Sequence, residues 1–392
     1  MTEDWVRMAA VVGPPAEPET ARRDRAARVA WSCLVEPGDR VAGALIRAHG
    51  AAEGWALAEA EPSARELGVL AGIESSEARA ALDRWRPRRC TDIMADAVRR
   101  AARNAIAVVT PDDPFWPPAL EDLGDHAPPC LWVRGDLARL RPQGASVAIV
   151  GARAATSYGE HVAAELAAGL AQAGIAVVSG AAYGIDGVAH RAALAAGGET
   201  LAFLAGGCDR PYPSGHADLI ERIAVRGVVV SEVPCGAAPT KWRFLQRNRL
   251  IAAVSDATVV VEAGLRSGSL NTAGHAAALG RPIGAVPGPV TSAASAGTHR
   301  LLREYDAACV TNVAEVRELV GAGSPGERRE HDTATPERTR VLDALSERAP
   351  RTSVQVAERC GMAVTDVEAE LGGLMLEGAV EPTGEGWRRR RR

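Results

Sequence analysis

The sequence predicts an α/β fold, a parallel β-sheet with helices packed on both faces. Its central part alternates helical stretches with seven short β-rich runs, which are SVAIVG, GIAVVSG, ETLAFLAGG, RGVVVSEV, ATVVVEAG, PIGAVPG and AACVTN. The runs are almost continuously apolar, as expected of parallel strands buried on both faces. In such a sheet, ligands bind beyond the carboxyl ends of the strands.

Two smaller segments flank the predicted sheet domain, which spans residues 105–320. Residues 1–104 carry short helical patterns separated by Gly and Pro, and they predict a compact helical module. Residues 321–334 are rich in Gly and charge and read as a flexible linker. Residues 335–392 hold three helical patterns, a β-like ending and an Arg-rich tail, which together predict a winged helix. The Pro-rich segment from Thr110 to Asp136 reads as an ordered connector.

Composition narrows the class of protein. The chain has 392 residues, is 47% hydrophobic but only 4% aromatic, and carries a net charge of −4, so any nucleic-acid binding must rest on local clustering of charge. Its seven cysteines are scattered without a CxxC pair, which argues against zinc. We expect a cytoplasmic protein, because neither a signal peptide nor a long apolar run is present. We expect no metal, no cofactor and no membrane contact.

The first candidate site follows the first run of the sheet, in VGARAATSYGEH. Gly151 ends the strand, and the next helix is expected to begin with a capping box at Ser157 and Glu160, a geometry that cradles phosphate. Arg153 is placed to form a forked contact with a phosphate. The alternative is a surface arginine in an ordinary turn. Because GxGxxG is absent, the sequence does not predict dinucleotide binding.

The second candidate site is the segment SGAAYGIDGVAH, after the next run. Ser179 and Gly180 would allow a ligand to approach the backbone closely. Asp186 is expected to cap the following helix, and His190 is expected to be structural.

The third candidate site is the turn in EAGLRSGSLNTAGH. Arg266, Ser267, Gly268 and Ser269 precede a helix rich in small residues, and this combination predicts an anion site. A capping turn is the alternative.

The fourth candidate site is the helix in APTKWRFLQRNRLIAAVSD, which contains the chain's only lysine, Lys241. On a helix, Lys241, Phe244 and Asn248 lie near one another, and Arg247 lies one turn from Phe244. With Arg249, these residues predict a basic surface carrying an aromatic ring, which suits single-stranded nucleic acid. A solvated basic face is the alternative.

No catalytic motif is present. The sequence lacks HExxH, GxSxG and the Walker motif. Glu262 ends a strand and could act as an acid or base, but no nucleophile is evident beside it. We therefore expect a protein that is not an enzyme.

Between about Ile106 and Asn312 the sequence resembles the DprA/Smf family of DNA-processing proteins. The resemblance is carried by ordered blocks, which are FWPPALEDLGDHAPPCLWVRGD, VAIVGARAATSYG, VVSGAAYGIDGVAHRAAL, GGCDRPYP, SEVPCGAAPTKWRFLQRNRLIAAVSD, VVVEAGLRSGSLNTAGHAAALGRPIGAVPG and SAGTHRLL. It implies an extended Rossmann-like domain whose basic pocket uses Arg153, Lys241 and Phe244.

The same resemblance implies a function and partners. It implies a homodimer that binds single-stranded DNA and helps load RecA recombinase during natural transformation, with single-strand-binding protein as a further candidate partner. It also implies an N-terminal module of the sterile-alpha-motif or helix-hairpin-helix kind.

Two alternatives stay open at this point. One is a nucleotide phosphoribohydrolase of the LOG type, a family of the same superfamily, although its PGGxGT signature is missing. The other is a regulator that binds duplex DNA through the winged helix. Turnover of mononucleotides would favour the first, and a strong preference for duplex would favour the second.

Overall fold

The computed structural model describes residues 10–14, 17–89, 91–322, 336–376 and 378–390. The chain forms two compact units, Met1–Gly323 and Ser324–Arg392. In the described ranges no helix has the length and apolar character needed to cross a membrane. Nor do these ranges hold a group of three or more His, Cys, Asp or Glu side chains suited to a metal ion.

A nine-stranded sheet forms the centre of the first unit, in the order β1-β2-β6-β5-β4-β3-β7-β8-β9. Its strands are β1 (Ile106–Val109), β2 (Leu131–Gly135), β3 (Ser146–Val150), β4 (Ala176–Ser179), β5 (Thr200–Leu204), β6 (Val228–Ser231), β7 (Ala257–Val260), β8 (Ile283–Ala285) and β9 (Ala308–Cys309). In this spatial order, every pair of neighbouring strands in the part β6-β5-β4-β3-β7-β8-β9 is parallel. The seven runs predicted as strands are thereby confirmed.

The expectation of a wholly parallel sheet was incomplete. Strands β1 and β2 pair antiparallel with each other, and β2 pairs antiparallel with β6. The segment expected to be only a connector supplies β2, preceded by a 3-10 helix at Pro118–His126. The strand has only five residues, and the many prolines give the segment the composition of a loop, so the sequence did not predict the strand.

Helices cover both faces of this sheet. In the first unit they are α1 (Glu19–Leu34), α2 (Arg40–His49), α3 (Ala51–Glu59), α4 (Ala64–Ala71), α5 (Ser75–Trp85), α6 (Thr91–Arg103), α7 (Ser157–Gln172), α8 (Ile185–Ala195), α9 (Ala217–Arg226), α10 (Lys241–Val254), α11 (Ser269–Ala278), α12 (Ala296–Glu304) and α13 (Val313–Leu319). Helices α10 and α11 share one core with the sheet, while α7, α8 and α13 share another on the opposite side. Burial of these apolar side chains from water fixes the helices on the sheet.

The N-terminal helices have a core of their own, centred on three tryptophans. Trp31 makes edge contacts with Trp55 and with Trp85, each with ring centroids 5.5 Å apart. Buried Arg25 ties α1 to the sheet, because it donates to the Val108 carbonyl and forms an ion pair of 2.8 Å with Asp113. A domain boundary at residues 104 and 105 stays a prediction.

The second unit is a small helical group with a hairpin. Its elements are α14 (Pro336–Ala344), α15 (Ser353–Cys360), α16 (Val364–Leu376), β10 (Val380–Thr383) and β11 (Gly386–Arg389). The two strands pair antiparallel, and side chains from all three helices and the hairpin form one core. The winged helix stays a prediction. Residues 323–335, which include most of the expected linker, and the last two arginines of the tail lie outside the described residues.

Candidate functional site

A cleft of about 760 Å³ opens at the carboxyl edge of the parallel strands. It is lined by the turns after β3, β4, β5 and β7 and by the first half of α10. Gathering of these turns at one edge follows from the parallel arrangement of the strands, as the sequence predicted. The cleft is the candidate binding site.

Helix α10 supplies the largest part of the cleft wall. The Thr240 side chain caps the helix by accepting a hydrogen bond of 3.2 Å from the Arg243 backbone N–H. The helix therefore begins at Lys241, whose side chain is exposed, and Phe244 follows one turn later. Residues of the second half of the helix, such as Leu250, are buried in the sheet core. Burial of one end of the helix fixes the direction of the other end.

An ion pair with the N-terminal region holds α10 in position. Arg243 forms hydrogen bonds of 2.9 and 2.7 Å with the carboxylate of Glu36, which also pairs with Arg88 of the N-terminal region. Burial alone would raise the pKa of Glu36, but the bonds from both guanidinium groups outweigh it and lower the pKa. Glu36 is therefore ionised at neutral pH and braces the helix.

The Phe244 ring contacts a cation and a second aromatic ring in the cleft. The guanidinium carbon of Arg153 lies 4.5 Å from the centroid of the Phe244 ring, within the range of a cation–π contact. The ring of Tyr212 lies 5.7 Å away at a tilt of 55°. Arg153 and Lys241 are exposed, so their charges face the solvent in the cleft.

Arg247 carries a buried charge beneath the ring. Its Nη1 donates to the carbonyls of Gly180, at 2.7 Å, and Phe203. Burial lowers the pKa of Arg247 to about 10, with an opposing contribution from nearby Asp186. Burial likewise raises the pKa of Asp186, against the effect of Arg247. At neutral pH Arg247 keeps its proton and adds positive potential to the floor of the cleft.

The Arg266–Ser269 turn forms the wall opposite α10. The hydroxyls of Ser267 and Ser269 lie 2.7 Å apart and share a hydrogen bond. Asn248 joins the two walls, because its side-chain amide donates to the Gly268 carbonyl at 3.2 Å. Arg266 is exposed at the rim. The turn thus adds a fourth cation to Arg153, Lys241 and Arg247.

Ten of the thirteen residues predicted for the site line this cleft. They are Gly151, Arg153, Lys241, Phe244, Arg247, Asn248, Arg266, Ser267, Gly268 and Ser269. The structure does not bring Ser179, Gly180 or Arg249 to the cleft surface.

Arg249 is directed away from the cleft. It forms a buried ion pair of 2.6 Å with Glu232 and donates to the His126 carbonyl. Two residues along a helix turn the side chain by about 200°, so Arg247 and Arg249 cannot share one face. The prediction treated the whole basic run as one surface, which a helix does not allow.

The two small residues after β4 serve the protein's own packing. The Ser179 hydroxyl donates to the Ile149 carbonyl at 2.7 Å and is fully buried. A Cβ on Gly180 would lie 2.1 Å from the Arg247 Nη1. The close approach to Gly180 that the structure shows is therefore that of the Arg247 guanidinium.

The predicted caps of two helices were wrong. Helix α7 is capped by Thr156, which accepts a hydrogen bond from Gly159, so Ser157 is the first helical residue. Asp186 lies inside the first turn of α8, where its carboxylate accepts a hydrogen bond of 3.1 Å from the Gly180 backbone.

Glu262 and His190 are also accounted for. The Glu262 carboxylate accepts hydrogen bonds from the Thr156 backbone, at 2.9 Å, and hydroxyl, at 2.6 Å. It thereby fixes the start of α7. His190 is fully buried, shares a hydrogen bond with Thr200, and accepts one from the Ala181 backbone N–H.

Tyr212 is a cleft residue that the sequence reading missed. It lies in GGCDRPYP, after β5, and its side chain is 48% exposed. The position of this segment after a parallel strand was a sufficient signal to find it.

The fold and the cleft together define the class of the molecule, a Rossmann-like protein with a cationic cleft at the carboxyl edge of its sheet. Residues 107–321 match the family described as DNA recombination-mediator protein A. The chain belongs to this family of DNA-processing proteins, as its resemblance to DprA/Smf proteins indicated.

Similar proteins span most of the chain. It is 48% identical over 319 residues to a DNA processing protein DprA of Mycobacterium tuberculosis, covering 77% of this chain and 81% of the relative. It is 36% identical over 299 residues to Protein Smf of Escherichia coli, covering 73% and 78%.

Two solved structures are similar as well. DNA processing protein A from Streptococcus pneumoniae aligns with a TM-score of 0.60 and 28% identity, covering 76% of this chain and 97% of that one. The Helicobacter pylori protein of the same name aligns with a TM-score of 0.50 and 32% identity, covering 55% and 97%, and its structure is described as showing a unique single-stranded DNA binding mode.

Proposed function

We propose that the cleft binds single-stranded DNA. The observation that carries this proposal is the combination in one cleft of an aromatic ring, Phe244, with four cations. The cations are Arg153 and Arg247, which lie 4.5 and 5.9 Å from the ring centroid, and Lys241 and Arg266, which line the same cleft. Cations bind the phosphates of a single strand, and aromatic rings stack on its unpaired bases. A site for a single strand therefore needs cations and an aromatic ring close together. The described binding mode of the Helicobacter pylori relative supports the proposal.

We propose further that the bound strand is delivered to RecA recombinase during DNA uptake. Support comes from the description of the matched family as recombination mediators. A mediator of this kind keeps the strand in a form that the recombinase accepts, with single-strand-binding protein as a further candidate partner. We also propose that the protein acts as a homodimer without catalysing a reaction of its own, and light scattering of micromolar protein tests the dimer.

A titration with labelled oligonucleotides tests the binding function. We expect single strands to bind more tightly than a duplex of the same length, at two salt concentrations, with the affinity falling as salt rises. A mononucleotide should compete poorly with the strand. A duplex preference would instead favour regulation through the C-terminal unit, and hydrolysis of a mononucleotide would favour the phosphoribohydrolase alternative.

RecA loading needs a separate assay. We expect the protein to speed the assembly of RecA filaments on single strands already covered by single-strand-binding protein. Lys241→Ala should reduce this effect in parallel with its loss of DNA binding. Assembly at an unchanged rate in the presence of the wild-type protein would contradict the mediator proposal while leaving DNA binding intact.

A further inference from the structure

Exposed or half-buried aromatic residues follow four neighbouring strands of the sheet. Aromatic residues make up only 4% of the chain. Yet Tyr158 follows β3, Tyr183 follows β4, Tyr212 follows β5 and Phe244 follows β6. The three tyrosines are 42%, 47% and 48% exposed, respectively.

These residues follow the order of the strands in space. The sheet order is β6-β5-β4-β3, and neighbouring strands lie about 4.8 Å apart. Phe244 and Tyr212 line the cleft, whereas Tyr183 belongs to the next strand along the edge. The aromatic residues therefore continue along this edge from the turn after β6 to the turn after β4, where Ala182, next to Tyr183, lines the cleft.

The surroundings of Tyr183 fix its ring beside the cleft. The ring makes an edge contact with His216, with centroids 4.8 Å apart. A Cβ on Gly215 would lie 2.7 Å from the Tyr183 hydroxyl, so the ring rests on the turn that closely follows Tyr212. The next residue, Gly184, packs against the backbone of Arg153, since a Cβ there would lie 2.5 Å from the Arg153 carbonyl oxygen.

The imidazole that contacts the Tyr183 ring also contacts a cation, Arg191. Exposed Arg191 donates from Nη1 to Nε2 of His216 at 3.4 Å, while Nδ1 of the same imidazole donates to the Ala181 carbonyl at 3.0 Å. Tyr183, His216 and Arg191 thus form one cluster, which combines an exposed ring with a positive charge. The same combination of ring and cation occurs in the cleft, at Phe244 and Arg153.

We propose that Tyr183 and Arg191 form a second subsite for the single strand, in which the Tyr183 ring stacks on a base and Arg191 contacts a phosphate. The inference rests on the proposed binding of single-stranded DNA in the cleft. A single strand is the fitting occupant because it alternates bases and phosphates along its length, and the protein offers an exposed ring and a cation both in the cleft and in the Tyr183 cluster. Binding of a protein partner at Tyr183, in contrast, would not depend on the bases of a single strand.

The test compares two strands of equal length, a thymidine oligonucleotide and an abasic oligonucleotide that keeps the phosphates. Fluorescence anisotropy measures binding of the full chain and of Tyr183→Ala at several salt concentrations. We expect Tyr183→Ala to bind the thymidine strand about tenfold more weakly and the abasic strand as the wild type does. The dependence on salt should be unchanged, because the substitution removes no charge.

Two further variants are matched controls. Tyr183→Phe keeps the ring and should retain wild-type affinity. Tyr305→Ala removes another exposed tyrosine, which precedes β9 and so lies at the opposite edge of the sheet, and it should also bind as the wild type does. Equal thermal unfolding temperatures for Tyr183→Ala and the wild type would establish that the variant is folded.

Three results would overturn the subsite. They are wild-type affinity of Tyr183→Ala for thymidine, an equal loss on both strands, and a loss with Tyr183→Phe as large as with Tyr183→Ala. In each case the wild type still binds the single strand. Failure of the wild type to bind the thymidine strand would instead refute the proposed function, and the subsite with it.

Discussion

At the scale of single residues, the position of Arg153 over Phe244 determines how a base can stack there. The guanidinium lies 4.5 Å from the ring centroid and occupies the place that a base would take on that face. An exposed cation–π contact contributes about 0.5–1 kcal/mol, and a stacked base about 1–3 kcal/mol. If the cleft binds a single strand as proposed, we expect a stacking base to displace Arg153 at a net gain and to leave the guanidinium available to a phosphate.

Phe244→Ala should weaken binding of a single strand by about 1–3 kcal/mol, because the stacking surface is lost. The slope of affinity against salt should stay the same, since no charge is removed. Anisotropy titrations at three or more salt concentrations measure both quantities. Trp242→Ala is the matched control, because this exposed aromatic lies on the same helix without lining the cleft. A changed slope for Phe244→Ala would show that the substitution disturbs the cations as well.

Lys241→Ala should weaken binding and reduce the salt slope by about 0.7, the share of one phosphate contact on a single strand. Lys241→Arg keeps the charge and should restore the slope, but it should restore only part of the affinity if the phosphate site around Lys241 is narrow, because a planar guanidinium does not replace a compact ammonium there. Arg226→Ala serves as the control, since this exposed cation precedes β6 at the opposite edge of the sheet. Wild-type binding by Lys241→Ala at every salt concentration would refute its assignment to the site.

Arg249 should matter for stability, with no direct effect on binding. Arg249→Ala leaves the buried carboxylate of Glu232 without its partner, which costs about 3–5 kcal/mol in the free energy of unfolding. Urea denaturation measures this loss. The double variant Arg249→Met with Glu232→Leu removes both charges and should recover most of the stability. A large fall in DNA affinity of the folded double variant would place Arg249 in the binding site after all.

At the scale of elements, the positions along the chain and the parallel type of seven strands could be predicted, because nearly every one is a short apolar run ended by Gly or a small polar residue. The two antiparallel strands β1 and β2 were not predicted, and β2 follows a Pro-rich segment whose composition resembles a loop. The carboxyl-edge rule placed Arg153, Lys241 and the Arg266–Ser269 turn in one site.

The errors within the site arose from local geometry that composition does not encode. The basic run around Arg249 contains residues on opposite faces of one helix. Gly180 is required by the approach of a protein side chain, and a sequence does not distinguish that approach from the approach of a ligand. Asp186 was assigned as a cap because the start of α8 was placed two residues too late, whereas Gly184 precedes its first helical residue.

The brace between α10 and the N-terminal region should make stability depend on pH through Glu36. Its pKa in the folded protein is below the ordinary value of 4.5, so its contribution is present above about pH 4.5 and is lost as the pH falls further. The wild type should therefore lose more stability than Glu36→Gln between about pH 5 and pH 3. Urea denaturation across this range measures the difference. Parallel curves for the two proteins would show that the bonds to Arg243 and Arg88 add nothing to stability.

At the scale of the whole molecule, the division into two units separates the candidate site from the C-terminal hairpin. All residues that line the cleft belong to Met1–Gly323, and the C-terminal unit has its own apolar core. Among the described residues, the apolar cores of the first unit consist of residues of that unit, and the core of the C-terminal unit consists of its own residues. The cleft should therefore keep its shape when the C-terminal unit is removed.

A chain that ends after Gly323 should bind single strands within a few-fold of the full chain, with the same salt slope, because all four cleft cations are retained. The expected role of the C-terminal unit is in the choice of partner, so the same deletion should change duplex binding or RecA loading more than it changes single-strand affinity. Parallel titrations measure single-strand affinity and duplex affinity, and a filament-assembly assay measures RecA loading. A matched variant that keeps the full length but carries Lys241→Ala should show the reverse pattern, with a flatter single-strand slope. If the shortened chain remains folded and loses nearly all single-strand binding, the strand is held by the C-terminal unit, and the cleft does not bind it alone.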